Sequence, residues 1–168
     1  HLSFVIKVIE RCIIGDNEFS DDASPTLKSI RRSINNTNSK IHEQLNKIMA
    51  TANNKNFLQD NLITLRNGRY CLPVKQEYRS NIPGMVHDQS STGSTVFIEP
   101  MAVIKLNNEI KELSLKEQEE IEKILAVLSN LVAENADIIE ADFDILVSLD
   151  FIFAKGLLSK NMKATEPS

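Results

Sequence analysis

Apolar residues that recur about every seven positions are the feature that most restricts the fold of this chain. The residues that follow this period, or share its helix face, are Leu27, Ile30, Ile34, Ile41, Leu45 and Ile48. The intervening positions are mostly polar, so the pattern predicts a long amphipathic helix with one packed face and one wet face. Ser24 can cap its first amide groups and Pro25 suits its first position, so we expect the helix to run from there to about 49–54.

Two further helices are predicted after Pro100. The first follows apolar positions between 103 and 131, with an irregular step near Glu117 that resembles a coiled-coil stutter. Four glutamates within 117–122 make this stretch very polar, so we expect it to project into solvent as a solvated helix face. The second is predicted over 135–160, and its apolar residues on all sides indicate a buried position.

Between the first two helices the pattern becomes strand-like. Asn67-Gly68 is a strong hairpin signal between the stretches 62–66 and 69–75, and two more strand-like stretches, 84–88 and 95–99, flank a loop of Ser, Thr and Gly. Because proline cannot donate a ladder hydrogen bond, Pro73 predicts an edge strand or a bulge.

The expected fold is therefore mainly α with a small antiparallel β insert. A helical bundle carries a roughly four-stranded sheet at the tip of a helical pair. The corresponding division is 1–61 helical, 62–99 β insert and 100–168 helical.

Composition points to a cytoplasmic protein. The chain has 168 residues with 42% hydrophobic and 25% charged residues, values that are ordinary for a folded soluble domain. No apolar run reaches the roughly 20 residues that a membrane span needs, and no leader peptide is recognisable. Cys12 and Cys71 are far apart, which indicates two reduced core thiols rather than a redox or zinc pair. Both ends read as cuts, so we expect a piece excised from a longer chain.

Signals for catalysis are weak. The loop Ser90–Thr95 lacks the spacing and the lysine of a phosphate-binding loop, and a strand follows it, so a structural hairpin loop is expected. His87 and Asp88 are adjacent on a predicted strand, whose alternation should point their side chains to opposite faces. The three histidines are scattered, and no metal-ligand spacing is present. We expect no catalytic residue and no metal site in this chain.

Charge is unevenly distributed. The chain carries a net charge of −4, yet residues 54–83 hold five basic side chains against two acidic ones, whereas Glu134–Asp150 holds six acidic side chains and no basic one. A basic tip on an acidic stem suits contact with a polyanion. The alternative is that Lys and Arg merely protect the edges of a small sheet from pairing.

Several phrases of the sequence resemble the MutS-II family, the bacterial MutS homologues that lack the mismatch-recognition domain. They are Arg69–Lys75, Glu77–Arg79, Pro83–Ser90 and Gly93–Pro100, supported by Asp22–Ser24, Leu106–Ile110 and residues 149–155. Thr92 stands where a serine is more usual and Cys71 where an aliphatic residue is. The resemblance spans nearly the whole chain.

This resemblance implies that the chain is a helical core and lever whose β insert corresponds to a clamp. In such dimers, levers and clamps reach around nucleic acid and signal to an ATPase. A P-loop ATPase, which uses ATP and Mg, and an Smr nuclease domain are implied elsewhere in the parent protein. The family is linked to suppression of recombination through branched DNA and, in some members, to stalled ribosomes. No cofactor is expected in this chain.

Backbone phosphates are the expected ligands, from DNA or ribosomal RNA, in a homodimer of the full-length protein. The candidate residues are Arg66, Arg69, Lys75 and Arg79, with Lys55, Ser90 and Ser91 as auxiliary donors. The alternative is a helical module that dimerises or docks neighbouring domains through residues 106–131, without direct contact to nucleic acid.

Overall fold

The architecture is three α-helices, a two-stranded hairpin and a four-stranded antiparallel sheet, and a computed structural model describes it for residues 2–16 and 18–136. In chain order the elements are α1 (Leu2–Cys12), β1 (Ile13–Gly15), β2 (Glu18–Phe19), α2 (Pro25–Asn54), β3 (Thr64–Arg66), β4 (Arg69–Lys75), β5 (Gly84–Gln89), β6 (Thr95–Pro100) and α3 (Met101–Glu134). Short 3₁₀ turns occupy Asp21–Ala23 and Gln76–Asn81. The predicted fold class, mainly α with a small β insert, is confirmed.

The helix predicted over 135–160 lies almost entirely outside the described residues. None of the helices in the described ranges is both long and apolar enough to cross a membrane. The described chain divides into two compact units, one of residues 2–31 and 116–136, the other of Arg32–Leu115. This division groups the β insert with the adjoining parts of α2 and α3, whereas the sequence analysis divides the chain at the ends of the insert.

In the first unit, α1 and a short hairpin pack on the start of α2 and the later turns of α3. Its main apolar cluster contains Cys12, Phe19, Leu27, Ile124, Leu125 and Leu128, and a smaller cluster joins Val5 to Val132. The hairpin of β1 and β2 was not predicted. Phe19, which is 3% exposed, anchors it in the cluster.

Helix α2 begins as the sequence predicts. The hydroxyl Oγ of Ser24 accepts a hydrogen bond from the amide of Leu27 at 2.9 Å and donates one to Glu120 at 3.1 Å. The Arg31 guanidinium donates to the carboxylates of Asp21 at 2.7 Å and Glu117 at 3.1 Å. Burial lowers the pKa of Arg31, but these two hydrogen bonds outweigh it, so the pKa is raised. The expectation that residues 117–122 form a solvated face is therefore wrong for Glu117 and Glu120.

Helix α2 ends in a reversal built from backbone hydrogen bonds. Asn56 adopts a left-handed conformation with φ of 60°. Its amide donates to the carbonyl of Asn53 at 3.0 Å, and the amide of Phe57 donates to that of Ala52 at 3.0 Å. This pair of bonds is the Schellman arrangement, in which asparagine can replace the usual glycine. It turns the chain from α2 toward the sheet.

The insert sheet has the strand order β3-β4-β6-β5, with every neighbouring pair antiparallel. One face packs against α2 and α3 through a cluster of fully or almost fully buried residues. Its members include Ile41, Leu45 and Met49 of α2, Leu72 and Val74 of β4, Val96 and Ile98 of β6, and Val103 of α3. This shared core seats the insert on the two helices within the second unit. The opposite side of the sheet carries Phe97 and Glu99, and we call it the outer face; α3 also contacts this side, through Asn107 at Glu99.

The expectation that Pro73 marks an edge strand or a bulge is wrong. Strand β4 is internal, and Pro73 pairs with Phe97 without a shift in register. Its carbonyl accepts from the amide of Gln59 at 2.9 Å, on the side away from β6. Because the nitrogen and the carbonyl of one strand residue point to the same side, the missing donor faces the short segment at 57–59 and leaves the β6 ladder intact.

Candidate nucleic-acid interface

The hairpin between β3 and β4 folds over the outer face. Asn67 and Gly68 have φ values of 53° and 73°, as the predicted two-residue turn requires. The Arg66 guanidinium lies 4.1 Å from the centre of the Phe97 ring and 3.4 Å from the Asp88 carboxylate. The Asn67 side-chain amide donates to the carbonyl of His87 at 3.2 Å. These contacts tie the hairpin tip to strand β5 at the far edge of the sheet.

A bulge in β5 places His87 and Asp88 differently from the expectation. The register shifts between Val86 and Asp88, so His87 is the extra residue of the strand. His87 then contacts Glu99 at 2.6 Å, while Asp88 pairs with Arg66, which lies on Phe97. Strand alternation was expected to point the two side chains apart. That expectation is wrong, because both engage groups on the outer face.

Glu99 is the centre of a buried polar network on the outer face. Its side chain is 1% exposed, and it accepts hydrogen bonds from Arg69 at 2.9 Å and from Asn107 at 2.7 Å, in addition to the His87 contact. Burial alone would raise the pKa of Glu99, but the hydrogen bonds from Arg69, His87 and Asn107 outweigh it, so the pKa is lowered. Glu99 is therefore a carboxylate, and His87 Nε2 carries the proton that it donates.

Arg69 is used inside the insert. Besides Glu99, its guanidinium donates to Asn108 Oδ1 at 2.8 Å and to the carbonyl of Ile104 at 3.2 Å, and its side chain is 15% exposed. All three guanidinium nitrogens thus have acceptors, and the charge is balanced by a buried carboxylate. The structure therefore separates Arg69 from the other candidate phosphate ligands.

Cys71 of β4 lies near Glu99. It is fully buried, and burial, reinforced by the nearby Glu99 charge, raises the pKa of its thiol to about 11. Cys12 is also buried, and both are free thiols. Within the described ranges, no group of three or more His, Cys, Asp or Glu side chains could hold a metal ion.

Three of the remaining candidates lie along the chain around one aromatic pair. The rings of Phe57 and Tyr78 are 4.9 Å apart between centres. The Lys55 ammonium lies 5.9 Å above the Phe57 ring, the backbone amide of Lys75 donates to the Phe57 carbonyl at 2.9 Å, and Arg79 directly follows Tyr78. Lys55 and Arg79 are exposed and Lys75 is half-buried. Among the described residues, no carboxylate lies within ion-pair distance of these three cations.

The serine candidates belong to the loop between β5 and β6, which is the structural hairpin loop that the sequence predicts. Ser90 Oγ accepts from the amide of Thr95 at 3.1 Å, and the Ser90 amide donates to the carbonyl of Thr95 at 2.9 Å. Ser90 thus closes the loop with its own backbone and side chain, and Ser91 is exposed at the tip.

The network around Glu99 was not predicted from the sequence. The available signals were an acidic residue at the end of the apolar run from Val96 to Ile98, and an asparagine, Asn107, on the packed side of α3. Asn107 is 2% exposed and its side-chain amide also donates to the carbonyl of Tyr70 at 3.4 Å. Polar residues at apolar positions indicate buried hydrogen bonding.

The sequence of the chain is similar to those of several curated proteins. No family model matches the chain. The chain is 61% identical over 166 residues to the endonuclease MutS2 of Lachnoclostridium phytofermentans, 59% identical over 166 residues to that of Agathobacter rectalis, and 56% identical over 166 residues to that of Alkaliphilus oremlandii. Each match covers 99% of this chain and 21% of the relative.

The chain is accordingly a segment of a MutS-family protein, and the resemblance stated from its motifs is confirmed. The relatives are named endonuclease MutS2, and the chain spans about a fifth of their length.

Proposed function

We propose that this chain is the non-catalytic lever and clamp region of a MutS-II protein and that it binds the phosphate backbone of DNA, branched or duplex, or of ribosomal RNA. In this proposal it acts within a homodimer, and separate parts of the full-length protein supply an ATPase that uses ATP and Mg and an Smr nuclease. The activity of the whole protein would be suppression of recombination or rescue of stalled ribosomes.

The observation that carries this proposal is a set of three cations, Lys55, Lys75 and Arg79, without carboxylate partners among the described residues. Each of them can therefore give its charge to an external phosphate. Arg66 is 38% exposed and shared with Asp88, so it can contribute only part of its charge. Arg69 is not included among the proposed phosphate ligands, because moving it away from Glu99 would leave a buried carboxylate without its counter-charge.

Phosphate contacts of this kind hold a nucleic acid in register without reading its bases. The sheet that carries them packs through Leu72 and Val74 against Ile41 and Leu45 of α2. Because protein interiors are close-packed and transmit strain, a displacement of the insert by a bound strand should displace α2 as well. This coupling is what a lever in the second unit requires.

Charge reversal in the full-length protein tests the proposal. The variant Lys55→Glu/Lys75→Glu/Arg79→Glu is compared with Lys105→Glu/Lys111→Glu, which reverses exposed lysines on α3. Anisotropy titrations with duplex and junction DNA, and co-sedimentation with ribosomes, are run over a salt series. We expect the first variant to lose at least about tenfold in affinity at low salt and its salt slope to fall by about one unit per lost phosphate contact. Equal binding by the first variant and wild type would contradict the proposal.

The alternative, a dimerising or docking module without nucleic-acid contact, rested on apolar residues of 106–131. In the structure Leu106 and Ile110 pack against the insert core, and Ile124 and Leu128 lie in the core of the first unit. These side chains are used within the chain, which weakens that reading, whereas Leu115 and Val127 of the same stretch stay 50% and 64% exposed. Light scattering of the same variants separates the two: loss of dimer with unchanged nucleic-acid affinity supports the module.

A further inference from the structure

Helix α2 is the most basic element of the described chain. It has five basic residues against one acidic residue, Glu43, a balance of +4. Within the second unit its exposed cations are Arg32, Lys40 and Lys47, of which Lys47 is 3.5 Å from Glu43. The exposed part of α3 in the same unit is balanced, with Lys105 and Lys111 against two glutamates. The charge of α2 is therefore a property of one helix and not of the whole unit.

The uncharged residues of this helix face are as unusual as its charge. Exposed amides and hydroxyls stand between these cations and in the turns that follow them, namely Asn35, Asn36, Ser39, Asn46, Thr51 and Asn53. Asparagine, serine and threonine are poorer helix formers than alanine, glutamate or lysine, which would serve a purely solvated face better. Amides and hydroxyls are, however, the side chains that join lysine and arginine in contacts with phosphate and sugar. The residues of this face therefore have lower helix propensity but more hydrogen-bonding groups than a purely solvated face needs.

The spacing of the cations selects an extended ligand. Arg32, Lys40 and Lys47 are eight and seven residues apart, which is about two helical turns and roughly 11 Å along the axis in each case. A small anion cannot reach two side chains at that separation, whereas a nucleic-acid strand carries a charge about every 3.4 Å along its axis. The face from Arg32 to Asn54 is roughly 33 Å long, close to one turn of a duplex.

We propose that the exposed face of α2 between Arg32 and Asn54, the α2 ridge, is a second contact surface for the backbone of a nucleic acid. This inference rests on the proposed function, because it assigns a further surface to the same ligand. The α2 ridge ends one residue before Lys55, so the chain leads directly from it to the first of the three cations left unpaired among the described residues. One strand can then follow the ridge and these cations together, which increases the number of phosphates held without any base contact.

The test uses the full-length protein and a duplex DNA probe with three variants, of which the ridge variant and the control change the net charge by the same amount. They are Lys40→Glu/Lys47→Glu on the ridge, the insert variant Lys55→Glu/Lys75→Glu/Arg79→Glu, and the control Lys105→Glu/Lys111→Glu. We expect the ridge variant to lose about tenfold or more in affinity at low salt and to lower the salt slope by about two, while the control changes far less. A control that loses as much as the ridge variant overturns the inference, because net charge alone would then explain the loss.

The outcomes separate this inference from the proposed function. Loss in the insert variant with wild-type binding by the ridge variant overturns the ridge and keeps the clamp. Loss in the ridge variant with wild-type binding by the insert variant keeps the ridge and overturns the proposed role of the insert. A wild-type protein that binds neither DNA nor ribosomes overturns both.

A second variant guards against loss of folding as the cause. Asn36→Ala/Asn46→Ala introduces the best helix former at two exposed ridge positions, so we expect Tm to rise or stay unchanged. Affinity for the probe should nevertheless fall by at least about threefold, because two hydrogen-bonding side chains are removed. A purely solvated face would give the rise in Tm with unchanged affinity, and that result would overturn the ridge.

Discussion

Glu99 shows how much of the insert depends on one side chain. A buried carboxylate with Arg69, Asn107 and His87 as donors is stable only while every partner is present. The network joins β4, β5, β6 and α3, because each of the four residues comes from a different element. The role of this network is structural. It also explains why Arg69, unlike the other basic residues near it in the sequence, is not available to an external ligand.

Replacing Glu99 by glutamine leaves Arg69 buried without a counter-charge. We expect Glu99→Gln to lower the free energy of unfolding by about 3–5 kcal/mol, measured by urea denaturation. The control is Asp88→Asn, which breaks the more exposed pair with Arg66 and should cost under about 1 kcal/mol. Similar losses of unfolding free energy in the two variants would show that the buried network stabilises the fold no more than the exposed pair does.

The same carboxylate predicts a pH dependence. The pKa of Glu99 is lower in the folded protein than in the unfolded chain, so the unfolded state binds more protons in the acid range. Its contribution to stability is complete above the unfolded pKa, about 4.3, and is lost as the pH falls through the folded value. We expect the difference in unfolding free energy between wild type and Glu99→Gln to shrink as the pH falls below about 4. A difference that is constant from pH 7 to pH 3 would contradict this assignment.

Gly84 is required by a close approach of two strands. A Cβ at this position would overlap the backbone carbonyl oxygen of Glu99 and lie 2.9 Å from Ile98 Cγ2. We expect Gly84→Ala to cost about 3 kcal/mol, because the obstructing atoms are backbone. Gly68→Ala is the control: its φ is +73° but nothing lies within 4 Å, so it should cost only about 1 kcal/mol. Urea denaturation of both variants decides, and a larger loss for Gly68→Ala would contradict the close approach.

At the scale of elements, the start of α2 rests on one hydroxyl. Ser24 Oγ caps the amide of Leu27 and bonds to Glu120 of α3. We expect Ser24→Ala to cost about 1–2 kcal/mol and to lower Tm in thermal unfolding followed by circular dichroism. The exposed Ser29, inside the same helix, is the control, since its replacement by alanine should be neutral or slightly stabilising. Equal effects of the two changes would show that the cap does not hold the helix start.

Elements with strong local signals were predictable from sequence. Ser24-Pro25 and Asn67-Gly68 each require a particular backbone conformation, and both lie where the patterns put them. The hairpin of β1 and β2 was missed because strands of two or three residues have no readable period. Its stability comes from burying Phe19, which is a tertiary contact.

The candidate site was predictable only in part, for a physical reason. Composition shows how many cations a segment carries, but not which of them a carboxylate neutralises. Arg69 and Lys75 are both basic residues of the same strand-like stretch, and nothing in the sequence distinguishes them. In the structure Arg69 is bonded to Glu99, whereas Lys75 has no ion-pair partner among the described residues. The bulge at His87 is likewise invisible, because it depends on register between strands. The polar face of α2 was interpreted as a wet face, because helical periodicity separates it from the packed face without indicating a ligand.

At the scale of the molecule, charge is divided between the two units. The chain carries −4 overall, whereas Arg32–Leu115 holds ten basic and seven acidic residues and is therefore +3. A nucleic acid that approaches the second unit meets a net positive charge, although the chain of 168 residues is negative overall. The field of this charge is screened over about 8 Å at physiological salt, so its effect on a nucleic acid should depend on ionic strength.

If the net charge of the second unit acts on DNA, residues that do not contact the DNA should also change its affinity. Glu109 and Glu112 are exposed on α3 in the second unit, and neutralising them in Glu109→Gln/Glu112→Gln raises that unit from +3 to +5. We expect DNA affinity to rise by at most about twofold at 20 mM salt, well below the tenfold loss expected on the ridge, and the gain to vanish near 0.3 M, where screening is short-ranged. The charge-conserving variant Glu109→Asp/Glu112→Asp should match wild type throughout. A gain that survives at high salt would mean that these glutamates act by direct contact, and the field would then not be its cause.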